Sequence, residues 1–457
     1  MKPIRFSEFS ALPIARIGFA AAWSGLAAGC AGYAPNQLAR QPSLVSTVAA
    51  LDRATPGGCQ ISPEQPLTLA DIGLLAVQNS PDLKAIRARR GVTQAQVIQA
   101  GLLPDPVLSG SYGVLLAGPD FANAFSAALT ADIAALVTFS ARREAASKAS
   151  LEVDANVVWQ EWQTNRQAQM LVIDIVEQGR LLRSLEQTLD VLQKRATTTA
   201  NGVAQGNATL QMLAPEALAV TSLQTQLDAA VLAQERQWQS LDALLGLEPR
   251  VRPPLDTGLR IQTVSDGEAA TLLQSLSSRR PDLIALQLGY ASEEASLRAA
   301  VLGQFPALTV GPNYASDTAR VQTLGPAVTV GLPIFNRNRG AIAIQQATRE
   351  QLRTEYQARL DTAYGGVKAL LANIALLTEQ LRAARDGLGQ ARMLGANAEG
   401  ALRGGLLDEL SYVDLVVTRL EKERQVIDLE RQLLDERNSL ATLLGAGLPP
   451  VRLVTPK

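Results

Sequence analysis

An internal duplication with a period of about two hundred residues limits what this chain can fold into more than any other feature of the sequence. Pro81, Asp82, Leu83 and Ala85 recur as Pro281, Asp282, Leu283 and Ala285, and Pro106 and Leu108 recur as Pro306 and Leu308. Further on the register drifts. Phe139-Ser140-Ala141-Arg142-Arg143 parallels Phe335-Asn336-Arg337-Asn338-Arg339, and Leu241 to Gly246 parallels Leu440 to Gly445. Matches in the same order across both halves describe one unit used twice. They replace the three ordinary domains that 457 residues would otherwise suggest.

Each half repeats the same series of elements. A helical pattern comes first, Leu67 to Ala100 and Asp266 to Val301, interrupted or restarted at Pro81 and Pro281, with Asp82 and Asp282 suited to a first turn. Two strands follow. Leu108, Tyr112, Val114 and Leu116 alternate with Ser109, Ser111 and Gly113, and Phe125, Ala127, Leu129 and Ile133 alternate with Ser126, Thr130 and Asp132. The second half does the same with Leu308, Val310 and Tyr314, then Val328, Val330, Leu332 and Ile334. The spacing predicts strands over about 107–116, 124–133, 307–315 and 324–335. Strands of roughly ten residues with one apolar and one small or polar face fit a transmembrane β-barrel. Taken alone they fit a soluble sandwich equally well.

The remainder of each half reads as long helix. Leu171, Ile175, Leu182, Leu185, Leu189, Leu192 and Ala196 keep three-four spacing, as do Leu370, Ile374, Leu377, Leu381, Ala384, Leu388 and Ala391. Val413, Leu420, Ile427, Leu434 and Ala441 recur every seven residues, the signature of left-handed coiled coil. Coiled-coil hairpins are expected over about 141–246 and 340–445, turning at Gly202 to Gly206 and Gly400 to Gly405. The segment from Ala141 to Thr199 would be roughly 90 Å long at 1.5 Å per residue. Charges such as Glu421, Lys422, Glu423, Arg424, Asp428, Arg431, Asp435 and Arg437 are assigned to solvated faces.

Composition narrows the function. There is no histidine and there are two cysteines, so a zinc site of nitrogen and sulfur ligands and a Ser-His-Asp or Cys-His pair are both excluded within one chain. No transition-metal ligand cluster and no cofactor motif stands out. A net charge of -1 argues against a nucleic-acid partner. The apolar content is mostly Ala, Leu and Val with 4% aromatics, which suits long packed helices rather than an enzyme core.

The first residues read as export information. Lys2, Arg5 and Arg16 precede an apolar run from Ile17 to Ala28, a signal peptide over 1–29 too short to span a bilayer. It ends at Leu26-Ala27-Ala28-Gly29-Cys30, similar to a bacterial lipobox, which makes Cys30 the lipidation candidate, with no Asp behind it at Ala31. Cys59 is the other thiol, read as buried. Residues 30–64, with Pro35, Pro42, Pro56 and Pro63, read as an extended tether, and 448–457 as a tail. The first repeat then covers 65–250 and the second 251–447.

Two strands and a coiled-coil hairpin, duplicated behind such a leader, resemble the outer membrane factor family, the TolC-like channel-tunnels. Gly331-Leu332-Pro333-Ile334-Phe335-Asn336-Arg337-Asn338-Arg339-Gly340 resembles the family's strand-to-helix exit. Arg279-Arg280-Pro281-Asp282-Leu283 resembles its second-repeat helix start, and Leu443-Leu444-Gly445 its C-terminal signature. The resemblance implies a mainly α fold with a small β part, and a homotrimer. Its twelve-stranded transmembrane β-barrel would continue into a periplasmic α-helical coiled-coil barrel. It implies a passive exit duct for efflux, most similar to those serving resistance-nodulation-division pumps, with outer membrane lipids, a periplasmic adaptor and an inner-membrane pump as partners. An exit duct of a type I secretion system and a structural periplasmic coiled-coil lipoprotein are the alternatives. The family's gate motif places an Asp after a Gly and eight intervening residues, which here is Gly405 to Asp414. The family's second acidic position falls on Ser411, with Asp408 and Glu409 nearby as substitutes. The family's adaptor-docking bends fall on Gly202 and Gly206 and on Arg403, Gly404 and Gly405.

Overall fold

The structure is a computed structural model that describes residues 33–55, 58, 60–117, 122–261 and 263–448. The signal segment, Cys30, Cys59 and the tail from residue 449 lie outside the described residues. Residues 33–43 form a unit of their own, exposed and without helix or strand.

The second unit starts at Leu44. The expected tether is in fact built into the protein from Val45 onward. Val45 and Leu67 form parallel bridges to Leu247 and Leu255, and Val48, Leu51 and Ile61 are buried against α1 (Leu69–Asn79) and the helices beneath it. Sequence alone misses this because the stretch forms, among the described residues, only one 3-10 turn, Val48–Ala50, and isolated bridges, too short to show a helical or strand period.

Thr68 starts α1 with a reciprocal cap, its hydroxyl accepting from Asp71 N at 3.2 Å while Thr68 N donates to the Asp71 carboxylate at 3.0 Å. Pro81 then starts α2 (Pro81–Ala100) behind an Ser80 cap. The second copy is more broken: α5 (Asp266–Gln274), α6 (Leu276–Arg279) and α7 (Pro281–Leu302) replace the single pattern read from the sequence.

Strands β1 (Val107–Gly113), β2 (Ala124–Asp132), β3 (Ala307–Ser316) and β4 (Gln322–Gly331) form one antiparallel sheet in that order. The register sets Leu108 opposite Leu129, Tyr112 opposite Phe125, Ala127 opposite Tyr314 and Val310 opposite Val328, so the apolar residues share one face. Ser109, Ser126, Asn313 and Thr323 fall on the other. No second sheet covers either face among the described residues, so the sandwich alternative is not what forms. Leu108 is 76% and Leu324 77% exposed within the protomer.

The β2–β3 ladder skips Leu129 and Thr130 where they pass Gly311 and Pro312, since proline has no N–H to donate. Gly311 is required there. A Cβ on it would lie 1.7 Å from the Leu129 carbonyl oxygen and 2.7 Å from its carbon.

The third strand runs one residue further than expected, to Ser316, the fourth starts two earlier, at Gln322, and three strands stop short. The second strand stops at Asp132 and not at Ile133, because the Asp132 carboxylate caps the next helix by accepting from Ala135 N at 3.0 Å. The fourth stops at Gly331 and not near 335. Pro333 has no N–H to offer a ladder, and Arg337 and Asn338 adopt left-handed backbone with φ of 46° and 54°. The first leaves the ladder after Gly113 and not at Leu116, where the Asn123 side chain accepts from Leu115 N.

From the sheet descend four helices. They are α3 (Ile133–Ala204), α4 (Leu210–Leu245), α8 (Arg339–Arg403) and α9 (Glu409–Leu444). The first hairpin therefore begins at Ile133, eight residues before the expected start, and its 72-residue helix is about 110 Å long. Leu182, Leu185, Leu189 and Leu192 of α3 are buried with Leu223 and Ala230 of α4, and Leu377, Leu381 and Leu388 of α8 with Val426 and Leu433 of α9. Each such leucine contributes about 1.5–3 kcal/mol by leaving water.

Candidate functional site

The two hairpin tips are built alike. In the first, Asn207 N and Ala208 N donate to Gly202 O at 2.7 and 3.1 Å, and Gly206 has φ of 74°. In the second, Gly405 N donates to Leu402 O at 3.0 Å, Leu406 N to Ala401 O at 2.8 Å, and Gly405 has φ of 70°. A left-handed residue at that place explains Gly206 and Gly405 without any partner. Gly404 is the helix C-cap at φ of −82° and is not forced by the turn. Arg403 is exposed and pairs with Glu399 one turn back on its own helix.

The acidic residues proposed for the gate separate into distinct roles. Asp408 is the N-cap of α9, accepting from Ser411 N and from Ser411 Oγ, both at 2.9 Å. These bonds hold its carboxyl below the usual range. Ser411 is therefore occupied with the cap. Asp414 is exposed, on the side of α9 away from the buried Tyr412, Val413 and Val416, and makes no ion pair among the described residues. Glu409 does not stand free in the way its position in sequence suggests. It is buried and bound by Arg195 of α3, whose Nη2 donates to it at 2.8 Å, with a second bond from Nε. The same Arg195 Nε lies 2.9 Å from the fully buried Glu216 of α4 and the guanidinium stacks 4.5 Å from the Tyr412 ring.

This cluster is the lowest rung of a polar seam between α3 and α9, where the first hairpin meets the second. Ser184 Oγ donates to Glu423 at 2.6 Å, and Arg392 donates to the same carboxylate at 2.7 Å. Arg180 bridges Glu430 at 2.6 Å and Glu177 at 2.7 Å. Arg431 serves Asp174, Asp428 and Asp435 together, at 3.3, 3.1 and 3.1 Å. Burial and the neighbouring Asp174 push the Asp435 carboxyl up to about 7 against the pull of Arg431. At the top, Arg166 donates to Asn438 at 3.2 Å and to Ala446 O at 3.1 Å over the face of Trp162. Glu423, Arg431 and Asp435 were expected on wet faces; they belong to this seam instead. Partly exposed ion pairs are worth about 0–1 kcal/mol each, so along its middle the seam is a softer joint than either leucine-packed hairpin.

The signal for the seam was present but weak. Glu216, Leu223 and Ala230 follow one another every seven residues, so a carboxylate occupies a core position of the coil.

Comparison with known proteins finds relatives for both repeats. Residues 272–446, the second repeat nearly entire, match the model of the outer membrane efflux protein family. The second repeat thus carries the sequence pattern of that family. Over 417 residues the chain is 28% identical to the pyoverdine export outer membrane protein OpmQ of Pseudomonas putida, covering 82% of this chain and 84% of the relative. Over 200 residues it is 22% identical to the probable outer membrane lipoprotein SilC of Salmonella typhimurium, covering 40% and 43%. Among solved structures CusC superposes with a TM-score of 0.68 at 19% identity, over 91% of this chain and 100% of that one. The mainly helical, strand-strand-hairpin fold is thus shared with channel-forming proteins, and the efflux protein family is a transport family rather than an enzyme family.

Proposed function

We infer that this chain is an outer membrane efflux protein, one protomer of a passive exit duct in a tripartite efflux system. The observation that carries this reading is the bare sheet. An antiparallel sheet with one mainly apolar face and, among the described residues, no covering layer and two open edges suits lipid on that face and a neighbouring strand at each edge. Four strands cannot close around a lumen. Three copies related by cyclic symmetry give twelve, and the hairpins beneath continue the tube into the periplasm. No described helix is long and apolar enough to cross a membrane.

Lipid attachment at Cys30 would add a second anchor, a reading supported by the leader pattern and by the lipoprotein name of SilC. Energy would come from an inner-membrane pump, of the resistance-nodulation-division type, through a periplasmic adaptor. Heat-modifiable migration and retention in the outer membrane after carbonate washing test the duct, and copurification with a tagged adaptor tests the assembly. Release into the soluble periplasm would instead indicate a structural coiled-coil lipoprotein.

Asp414 is the residue we assign to the constriction, since it alone of the acidic tip residues is exposed and unpaired. Three carboxylates about one axis favour cations. Asp414→Ala is expected to raise single-channel conductance several-fold; an unchanged conductance removes the assignment. For docking at the tips, Arg403→Glu is expected to cut adaptor cross-linking by tenfold or so, as like charge replaces a steering cation. Cross-linking at the wild-type level would place the contact elsewhere.

A further inference from the structure

We infer that Glu216, Glu409 and Arg195 form a proton-operated lock that fastens the first hairpin to the second just above the tips. The geometry is unusual for a coiled coil. Two carboxylates from different hairpins, Glu216 of α4 and Glu409 of α9, are buried at 0% and 7% exposure around one guanidinium from α3. Arg195 makes two bonds to Glu409, while neither oxygen of Glu216 makes a hydrogen bond of good geometry. One cation cannot neutralise two buried anions, and an unsatisfied buried carboxylate is costly. A proton held between the two carboxyls removes both problems: Glu216 donates, Glu409 accepts, and the cluster is neutral.

The other groups facing the pair do not supply that charge. From α3 come Arg195 and Thr199; from α9 come Asp408, Glu409 and Tyr412; Glu399 of α8 and Arg419 of α9 act on Tyr412. Burial first, then the bond with Glu409, pushes the Glu216 carboxyl up to about 7. Burial also works on Glu409, but the bonds from Arg195 and Glu216 outweigh it and hold that carboxyl below its usual range.

The sign follows from linkage. A carboxyl whose pKa is raised in the locked state favours that state at low pH and stops doing so as pH rises through about 7. Once the hairpins part, Glu216 meets water and returns to an ordinary carboxylate range. At about tenfold per unit, the locked-to-parted ratio falls roughly seventyfold between about pH 5 and about pH 8. At still lower pH Glu409 also takes up a proton, Arg195 loses its anion, and the lock weakens again. Since small solutes equilibrate across an outer membrane, a lock in this range reports the pH outside the cell.

The lock rests on contacts within one protomer; its effect on conduction rests on the duct reading. Two measurements on the full-length protein keep these apart. Asp435 titrates in the same range, so the infrared comparison is made in an Asp435→Asn background, where difference spectra between about pH 5.5 and about pH 8 should show a protonated-carboxyl band that Glu216→Gln diminishes. A band that Glu216→Gln leaves unchanged overturns the lock whatever the channel does. In planar lipid bilayers the wild-type tip should open more at the higher pH. Glu216→Gln, permanently neutral, should stay closed at both, and Glu409→Gln, which leaves Glu216 as the one carboxylate beside Arg195 at 2.9 Å, should lose the opening at higher pH. Channels whose pH response is the same in Glu216→Gln and wild type overturn the lock. A protein that forms no channel at any pH refutes the duct and leaves the infrared result to decide the lock.

Discussion

Gly311→Ala is expected to leave the protein without a continuous sheet. The added Cβ would lie 1.7 Å from the Leu129 carbonyl oxygen, and the obstacle is backbone on a paired strand, not the movable end of a side chain. Either β2 and β3 separate or the ladder shifts, and a one-residue shift would turn the apolar residues of β3 to the wrong face. The expected cost is several kcal/mol, well beyond the usual range for a single substitution. Outer-membrane fractionation and heat-modifiable migration would both report it. Gly325→Ala is the control, because nothing lies within 4 Å of a Cβ built there. Normal assembly of Gly311→Ala would show that the β2–β3 approach is wider than described.

The second large effect is expected at Arg280, where the two repeats have diverged. In the first copy Ser80 caps α2 by accepting from Leu83 N at 3.5 Å, and Asp82 is exposed. In the second, Arg280 is buried, binds Asp282 through Nε at 2.9 Å and Nη2 at 2.6 Å, donates to Leu443 O at 3.4 Å and lies 4.8 Å from the Trp159 ring. Removing it strands Asp282 in the interior with only Arg359, 3.8 Å away. Arg280→Ala should cost about 3–5 kcal/mol. Ser80→Ala should cost about 1 kcal/mol. Thermal unfolding of the purified protein would rank the two, and Asp282→Asn added to Arg280→Ala should recover part of the loss. Equal melting temperatures for the two single variants would contradict this division of roles.

Much of this architecture was legible in the sequence because periodicity is a property of residue spacing. Of the heptad Val413, Leu420, Ile427, Leu434 and Ala441, all are buried but the partly buried Leu434, and each of the four strands overlaps the stretch where alternation placed it. What was not legible depends on contacts. Asp132 ends a strand because its side chain caps a helix, and the stretch from Val45 belongs to the core because of neighbours far along the chain. The seam was hidden for the same reason. Glu430 and Arg180 look like any solvated charge on a helix until the two hairpins are laid side by side. At the tips, the residue types drew attention to Glu409 and Asp414 alike, and only burial separates the one bound inside from the one left free.

The order of strands also governs when the sheet can exist at all. Strand β2 pairs with β3, and Phe125 finds Ser316 roughly 190 residues later in the chain. During synthesis, at about 5–20 residues per second, the β1–β2 hairpin precedes its partner by roughly ten to forty seconds. Through that interval its apolar side chains and its inner edge have nothing of their own chain to meet. Sheet formation is therefore a late, long-range event, and the region is open to mispairing until the second repeat arrives. The two halves are similar, but neither is a folding unit for the sheet, which is completed only by the whole polypeptide.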